Sequence, residues 1–317
     1  MKLGYIGLGK MGFAMVERLL EKDYKIVATN RSNESVDKIA QKGAIPAYEI
    51  SDLVKKLNIE TTDENYQSSE SKTIWLMVPW KAVDSILFDL SPLLKEGDTI
   101  IDGGNSPYIE TVRRSKELSE KGINFIDVGV SGGPNGARNG ACLMCGGRRS
   151  DFDKYESLFK DLSLEDGYGY MGLHGAGHFV KMVHNGIEYG MMQAIGEGFE
   201  VMKKSNEDSE KGGFDLDLKE ISRVYNKGSV IESSLVGWLR NAYQKNGEDL
   251  ENISGEVSHS GEGQWTVDTA NHLNVPVKII EQSLQFRKDS KGNPSYTGKV
   301  VSALRNEFGG HDVTDKK

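Results

Sequence analysis

The stretch Gly7-Leu8-Gly9-Lys10-Met11-Gly12 constrains this chain more than any other. It is a GxGxxG pattern. Lys2–Ile6, KLGYI, precedes it and reads as a strand; Phe13–Glu21 follows it and reads as a helix. Strand, glycine loop and helix in that order open a doubly wound α/β sheet of the Rossmann type. The first glycine permits a tight turn and the second lets a pyrophosphate approach backbone amides. The third lets helix and strand pack closely, with the helix N-terminus facing the anion. Gly7, Leu8, Gly9, Lys10, Met11 and Gly12 are therefore candidates for dinucleotide binding, against the alternative of a structural turn.

The next strand, Lys25–Thr29, runs into Asn30-Arg31-Ser32. An NAD site usually places an acid at the end of this strand for the ribose 2′-hydroxyl. Here Arg31 stands where that acid is expected, 19 residues after Gly12. A guanidinium beside a hydroxyl suits a 2′-phosphate, which favours NADP over NAD. Glu34 and Asp37 are close enough in sequence to compete, and a solvated loop arginine is the other reading. A helix–strand–helix passage follows over Ile39–Leu57, and Asn58–Ser71 reads as a polar surface insertion. Thr73–Pro79 is a buried parallel strand whose end, Met77, Val78 and Pro79, joins the cofactor set, since open α/β sheets bind ligands at strand carboxyl ends. Ala82–Leu90 reads as helical. Thr99–Asp102 ends in Gly103-Gly104-Asn105-Ser106, which makes Asn105 a candidate for cofactor and substrate contact. Asn124–Val130 is a further strand leading into Ser131–Gly140, where five of ten residues are Gly or Pro. That decamer reads as a loop, either presenting amides to an anion or simply connecting Leu143–Gly147 to the sheet. Asp151–Leu162 reads as a helix.

Hydrophobic residues make up 37% and charged residues 27%, which suits a soluble globular chain, and no apolar run is long enough to span a bilayer. The N-terminus shows no signal pattern. Cys142 and Cys145 form a single CxxC. They read as two reduced, mostly buried thiols in a cytoplasmic protein, with redox or metal roles as alternatives. Thirty-nine basic against 47 acidic residues give a net charge of −8. That argues against nonspecific nucleic-acid binding, and any anionic substrate must be held by a local basic cluster.

After Gly177 the alternation of strands and helices stops. Lys181–Lys203, Leu218–Tyr225, Ser229–Asn246, Val267–Leu273 and Val277–Phe286 read as helices, which places a boundary near 172. The expected organisation is a dinucleotide-binding domain over 1–172 and an all-helical domain over 173–317. Ser205–Asp217 reads as a loop whose Asp215 and Asp217 are solvated rather than metal-binding. In Gly175–Gln193, Phe179, Val183, Ile187, Met191 and Ile195 recur every fourth residue as a buried stripe. Lys181, His184, Asn185 and Glu188 share another face, which offers a base, two hydrogen-bonding groups and an acid. A solvated Lys–Glu face is the bland alternative. Gly186 and Gly190 each weaken a helix by roughly 1 kcal/mol relative to Ala, so something must approach the backbone closely there.

Taken together, these segments resemble a family. They are GLGKMG at Gly7–Gly12, NRS at Asn30–Ser32, DGGNS at Asp102–Ser106 and VSGGPNGARNGACLMCGG at Val130–Gly147. GAGHFVKMVHNGIEYG at Gly175–Gly190, SGEGQWT at Ser260–Thr266 and RNEFGGH at Arg305–His311 complete the set. The chain resembles the decarboxylating 6-phosphogluconate dehydrogenases of short-chain type, within the β-hydroxyacid dehydrogenase superfamily. The resemblance implies Lys181 as general base toward the C3 hydroxyl and Glu188 as general acid toward C1, with no metal. A lysine must be tuned well below about 10.4 to act as such a base. The resemblance further implies that Asn105, Ser131, Gly132, Gly133, His184 and Asn185 contact the substrate carboxylate and hydroxyls. Tyr189, Arg287, Arg305 and His311 would contact its phosphate, the last two from a neighbouring subunit's tail. It therefore implies a homodimer, or a dimer of dimers, with shared sites. Two departures stand out: Ser260 and Glu262 occupy positions where long-chain members carry lysine and threonine, so part of the phosphate site must be rebuilt. The long second helical repeat of the larger enzymes is also missing, so the dimer interface must be built differently.

Overall fold

The computed structural model describes residues 1–58, 71–207, 213–259, 261–310 and 313. Almost all of the Asn58–Ser71 insertion, together with Ser260 and His311, lies outside the described residues. The chain divides into two compact units, Met1–Lys181 and Met182–Lys317. The start of the helix Ala176–Glu207 belongs to the first unit, where its first turns pack on the sheet that precedes it.

The first unit contains β1 (Lys2–Ile6), α1 (Lys10–Leu20), β2 (Lys25–Thr29), α2 (Asn33–Ala40), β3 (Ile45–Pro46), α3 (Ile50–Asn58) and β4 (Thr73–Leu76). It continues through α4 (Trp80–Leu90), β5 (Thr99–Asp102), α5 (Tyr108–Ser119), β6 (Asn124–Ser131), α6 (Gly133–Asn139), β7 (Ala141–Gly146), α7 (Arg149–Leu162) and β8 (Ser163–Gly172). The strands form one sheet in the order β3-β2-β1-β4-β5-β6-β7-β8. It is parallel from β3 to β6, β7 runs antiparallel to β6, and β8 parallel to β7. Period-two burial explains the double winding. Leu3, Tyr5 and Trp75 enter a core with Met15 and Phe159, whereas Ile6, Ile74 and Leu76 enter a second core with Leu53 and Val83. A strand such as TIWL, buried on both faces, needs helices on both sides.

In this unit two elements depart from the sequence reading. Part of the expected Ser131–Gly140 loop is helix α6, which starts from Gly132 (φ +124) and Gly133 (φ +62). Its intrinsic propensity is poor; packing on α1 and the Arg138 ion pair to Glu21 hold it. Strand β8, SLEDGYGYMG, was not expected at all. Its three glycines and exposed acids disguise an edge strand that pairs with β7 through register shifts. On β7, Cys145 is buried and Cys142 exposed, as an odd separation on a strand dictates; only one thiol is shielded.

The long helix α8 (Ala176–Glu207) enters the second unit, followed by α9 (Leu218–Tyr225), α10 (Ser234–Asn246), α11 (Glu262–His272), α12 (Lys278–Asp289) and α13 (Tyr296–Gly309). Met192, Phe199, Leu239, Leu284, Val300 and Leu304 build its core. Side chains of Asp217, Ser233 and Ser295 cap α9, α10 and α13, so the Asp217 carboxylate has a capping role. Helix α13 carries most of the RNEFGGH segment, as far as Gly309. Its Gly298 lies against Gly255, where a Cβ would stand 1.9 Å from a carbonyl oxygen. The buried stripe of α8 also differs from the expected one. Ile187 and Met191 are exposed, and Met182, Tyr189, Met192 and Phe199 face inward. The glycines decide the orientation. A Cβ on Gly186 would stand 2.7 Å from Thr266 Cγ2, and one on Gly196 3.1 Å from Thr297 Cγ2. The expected close approach to the backbone is thus present, and it turns the glycine face inward. Among the described residues, no helix is long and apolar enough to cross a membrane.

Candidate active site

At the carboxyl end of β1 the three motif glycines do different work. A Cβ on Gly7 (φ +106) would stand 2.3 Å from the Met77 carbonyl oxygen, and one on Gly12 2.0 Å from that of Gly7. Those two are demanded by packing. Gly9 faces open space at the N-terminus of α1, with no atom within 4 Å of a Cβ placed there. The N-terminus of α1 is therefore open there, and its first turn carries no acid to oppose an anion. The Leu8 amide donates to Asn30 Oδ1 at 3.0 Å, tying the loop to the end of β2. Arg31 and Ser32 are exposed, and Arg31 has no ion pair among the described residues. The two acids that could compete are occupied: Glu34 pairs with Lys38 at 2.6 Å, and Asp37 accepts from Tyr48 Oη at 2.8 Å.

Strand registers align the next two loops with this edge, Ile6 with Leu76 and Leu76 with Asp102. The Met77 amide donates to the Ile6 carbonyl at 2.8 Å, so Val78 and Pro79 leave the sheet beside the glycine loop. Asn105 is exposed on a braced loop. The buried Asp102 carboxylate accepts from the Gly104 amide at 3.0 Å and from Ser106 Oγ at 2.8 Å. Ser131 ends β6, and Gly132 and Gly133 turn the chain into α6.

Lys181 is set by how α8 docks on the sheet. Asp127 of β6 caps the helix, accepting from the Gly175 amide at 2.7 Å and the His178 amide at 2.9 Å. A Cβ on Gly177 would stand 2.4 Å from the Met144 carbonyl, and one on Gly129 would stand 2.3 Å from Lys181 Cβ. Glycines on both surfaces allow this approach and fix the helix in rotation and depth. Lys181 is only 7% exposed, which removes the solvated-face reading. Asp127 escaped the sequence reading; an acid at mid-strand, followed by a glycine two residues on, was its only signal.

In the second unit α8 continues with His184 Nδ1 3.0 Å from Asn185 Oδ1 and 3.8 Å from Glu188 Oε2. Lys181 and Glu188 both belong to α8, seven residues apart in sequence. Tyr189 turns inward, and the Arg287 guanidinium stacks 3.3 Å from its ring centroid. Gly263 admits that ring: a Cβ there would be 2.4 Å from Tyr189 Cε2. Arg287, Arg305 and Glu262 are all buried. Arg305 donates to Ser258 Oγ at 2.7 Å. Among the described residues, Nη1 and Nη2 of Arg287 have no hydrogen-bond partner. Burial brings the Arg287 pKa down to about 10; the Arg305 charge adds to this, while Tyr189, Glu188 and Glu262 oppose it. Burial likewise lowers Arg305. His259 is lowered by partial burial and by Arg287, Lys288 and Arg305. Glu262, expected to obstruct a phosphate, sits within the field of two arginines that supply the intervening cations. Arg305 lies on helix α13, and its charge reaches Arg287 of the same chain. Ser258 and His259 were missed by the sequence reading because nothing in SHSGEG marks the neighbours they acquire.

Comparison with known proteins identifies the relatives of this arrangement. Residues 2–184 match the NAD binding domain of 6-phosphogluconate dehydrogenase, and residues 177–211 and 205–314 match that enzyme's C-terminal domain. A Bacillus subtilis protein named provisionally as a 6-phosphogluconate dehydrogenase is 44% identical over the whole of both chains. An NAD+-dependent, decarboxylating 6-phosphogluconate dehydrogenase of Haloferax volcanii is 41% identical over 100% of this chain and 99% of that one. The solved Plasmodium falciparum 6-phosphogluconate dehydrogenase superposes with a TM-score of 0.74 at 28% identity, covering 92% of this chain and 62% of that one.

Proposed function

Because the chain belongs to the 6-phosphogluconate dehydrogenase family, we propose that it converts 6-phospho-D-gluconate to ribulose 5-phosphate and carbon dioxide, with reduction of NADP. The observation that carries the substrate is the buried Arg287–Arg305 pair, with two Arg287 nitrogens lacking hydrogen-bond partners among the described residues. Among the described residues these two desolvated guanidinium groups are answered by one buried carboxylate, Glu262, which calls for a further anion, and a phosphate monoester supplies oxygens for both. That same observation disfavours the rival substrate class, small unphosphorylated hydroxy acids.

When bound, the nicotinamide dinucleotide supplies the hydride acceptor. Gly9 and the N-terminus of α1 would hold its diphosphate, with Leu8, Lys10, Met11 and Asn30 around it. Arg31 and Ser32 would hold a 2′-phosphate, and Met77, Val78, Pro79 and Asn105 its nicotinamide side. In this reading Lys181 takes the proton of the substrate C3 hydroxyl as that carbon is oxidised. The resulting lysine ammonium then donates to the 3-keto oxygen while the carboxylate leaves, so electrons from the breaking C–C bond flow toward a cation. Glu188 protonates C1 of the enediol. Asn105, Ser131, Gly132, Gly133, His184 and Asn185 orient carboxylate and hydroxyls, and Tyr189, Arg287 and Arg305 hold the phosphate. His311 would complete that set from outside the described residues. A homodimer is the proposed assembly, and the exposed Ile187, Met191 and Val201 of α8 are apolar surface that such an assembly could cover.

Steady-state turnover of 6-phosphogluconate, with gluconate as control and NADP against NAD, tests this directly. Reduction with 6-phosphogluconate alone, abolished in Lys181→Met, is the expected result. Equal turnover of gluconate would transfer the assignment to the unphosphorylated class, and turnover that survives Lys181→Met would remove the lysine from the mechanism.

A further inference from the structure

We propose that Thr111 and Arg114, on one buried face of α5, are positioning residues that hold the nicotinamide-side loops and the lysine-bearing turn of α8 to a common strut. The inference rests on the reading just given and adds residues to which it assigned no role. Thr111 and Arg114 are three apart on the helix, so they share a face, and both side chains are fully buried.

Arg114 reaches two loops at once. Its Nε and Nη2 bond both Asp84 oxygens at 2.8 and 3.1 Å, Nη2 donates to the Trp80 carbonyl at 3.2 Å, and Nη1 donates to Ser106 Oγ at 3.3 Å. Ser106 in turn donates to Asp102, which stands 3.9 Å from Arg114. Trp80 directly follows Val78-Pro79, and Ser106 directly follows Asn105. One guanidinium therefore sets the spacing of the two segments proposed to flank the nicotinamide. The loops are also in contact with each other: a Cβ on Gly104 would stand 2.7 Å from the Val78 carbonyl oxygen.

One turn earlier, Thr111 Oγ1 lies 2.7 Å from Nδ1 of His178, which is 2% exposed. The same hydroxyl donates to the Pro107 carbonyl at 3.3 Å, which leaves it to accept from His178 Nδ1–H. This tautomer makes Nε2 an acceptor, and among the described residues that nitrogen has no hydrogen-bond partner. His178 precedes Lys181 by one turn on the same helix face. Thr111 thus fixes the tautomer of a buried histidine one turn before the proposed base and leaves its Nε2 an acceptor, suited to a bridging water. Apolar side chains would pack α5 with less desolvation cost, so the polar contacts argue for geometry over adhesion.

The test is a kinetic split on the intact enzyme. Arg114→Met should raise the cofactor KM about tenfold and leave the 6-phosphogluconate KM within about twofold. Asp84→Asn should move the same parameter less. Thr111→Val should lower kcat about tenfold, leave both KM values in place and shift the acid limb of the pH–rate profile; Thr111→Ser should restore it. A purely structural role predicts lower melting temperatures with unchanged KM values and unchanged kcat per cofactor-binding site, and that result overturns the proposal. If Arg114→Met does not fold, Arg114→Lys and Ser106→Ala decide on the same split. Failure of the wild type to turn over 6-phosphogluconate would instead overturn the substrate assignment, and direct titration with NADPH would still read the Arg114 arm.

Discussion

Replacing Arg287 by methionine separates binding from folding. In the ligand-free protein the guanidinium is buried, stacked on Tyr189 and without hydrogen-bond partners for Nη1 and Nη2 among the described residues. Its pKa lies near 10 against an ordinary 12.5. At pH 7 both native and unfolded chains carry the charge, so the native state bears the full penalty, on the order of 3 kcal/mol. The penalty disappears only as pH rises past about 10, where the native state releases its proton first. Methionine removes the penalty and forfeits a stacking contact worth about 2 kcal/mol. The empty variant should therefore melt at or above the wild-type temperature. Binding moves the other way. Two charge-assisted bonds to a phosphate, at about 1.5–3 kcal/mol each, less the entropy of ordering them, amount to roughly 3 kcal/mol. That is about 150-fold in KM for 6-phosphogluconate. The phosphate is remote from the reacting carbons, so kcat should change far less. Melting curves with and without 6-phosphogluconate, alongside initial rates, read both quantities. A variant that melts several degrees lower with an unchanged KM would make Arg287 a structural residue and refute the argument.

Arg31→Glu should shift the kcat/KM ratio of NADP to NAD at least tenfold toward NAD, by repelling the 2′-phosphate and offering the ribose an acceptor; an unchanged ratio would leave Arg31 a solvated loop residue. Gly12→Ala and Gly9→Ala should fail differently. The first drives a Cβ to 2.0 Å from the Gly7 carbonyl and should lower stability by about 1–3 kcal/mol, whereas the second meets no protein atom and should weaken cofactor binding without moving the melting temperature. His259 is held below its ordinary 6.5, so the unfolded chain takes up a proton first as pH falls. Its contribution is fully present above 6.5 and is lost below it, so the ligand-free melting temperature should fall with acidity through this range, less steeply in His259→Gln.

The sheet was legible because its signals are local. Continuous apolar runs such as TIWL and TIID demand burial on both faces, and the glycine loop fixes where the first crossover begins. Strand β8 and helix α6 were not legible, since neither is supported by its own composition. The Ser163–Gly172 segment is a strand because β7 offers it an edge. Gly133–Asn139 is a helix because α1 gives it a surface and Glu21 gives Arg138 a partner. In both, tertiary context overrides propensity. Helix α8 shows the limit from the other side. The four-residue spacing of Ile187 and Met191 is real, yet the helix buries its glycines and Tyr189, because a glycine face lets a neighbour come closer than a leucine-sized one.

The candidate site divides along the same line. Residues on the loops after β1, β2, β4 and β5 could be placed from sequence, since a parallel sheet delivers its carboxyl-end loops to one edge whatever their composition. Lys181 and Glu188 could be placed because seven residues of helix make two turns. The anion cluster could not. Tyr189, Glu262, Arg287 and Arg305 come from α8, α11, α12 and α13, and only packing tells which faces of four helices converge. Glu262 shows what is lost without that packing. Alone in the sequence, an acid in a phosphate motif reads as an obstacle; within the field of two buried arginines it is a counter-charge that keeps the pair tolerable in the absence of ligand. Glu262→Gln should then destabilise the empty protein while tightening the hold on phosphate. A variant that does neither would mean that the arginines are steadied by something other than this carboxylate.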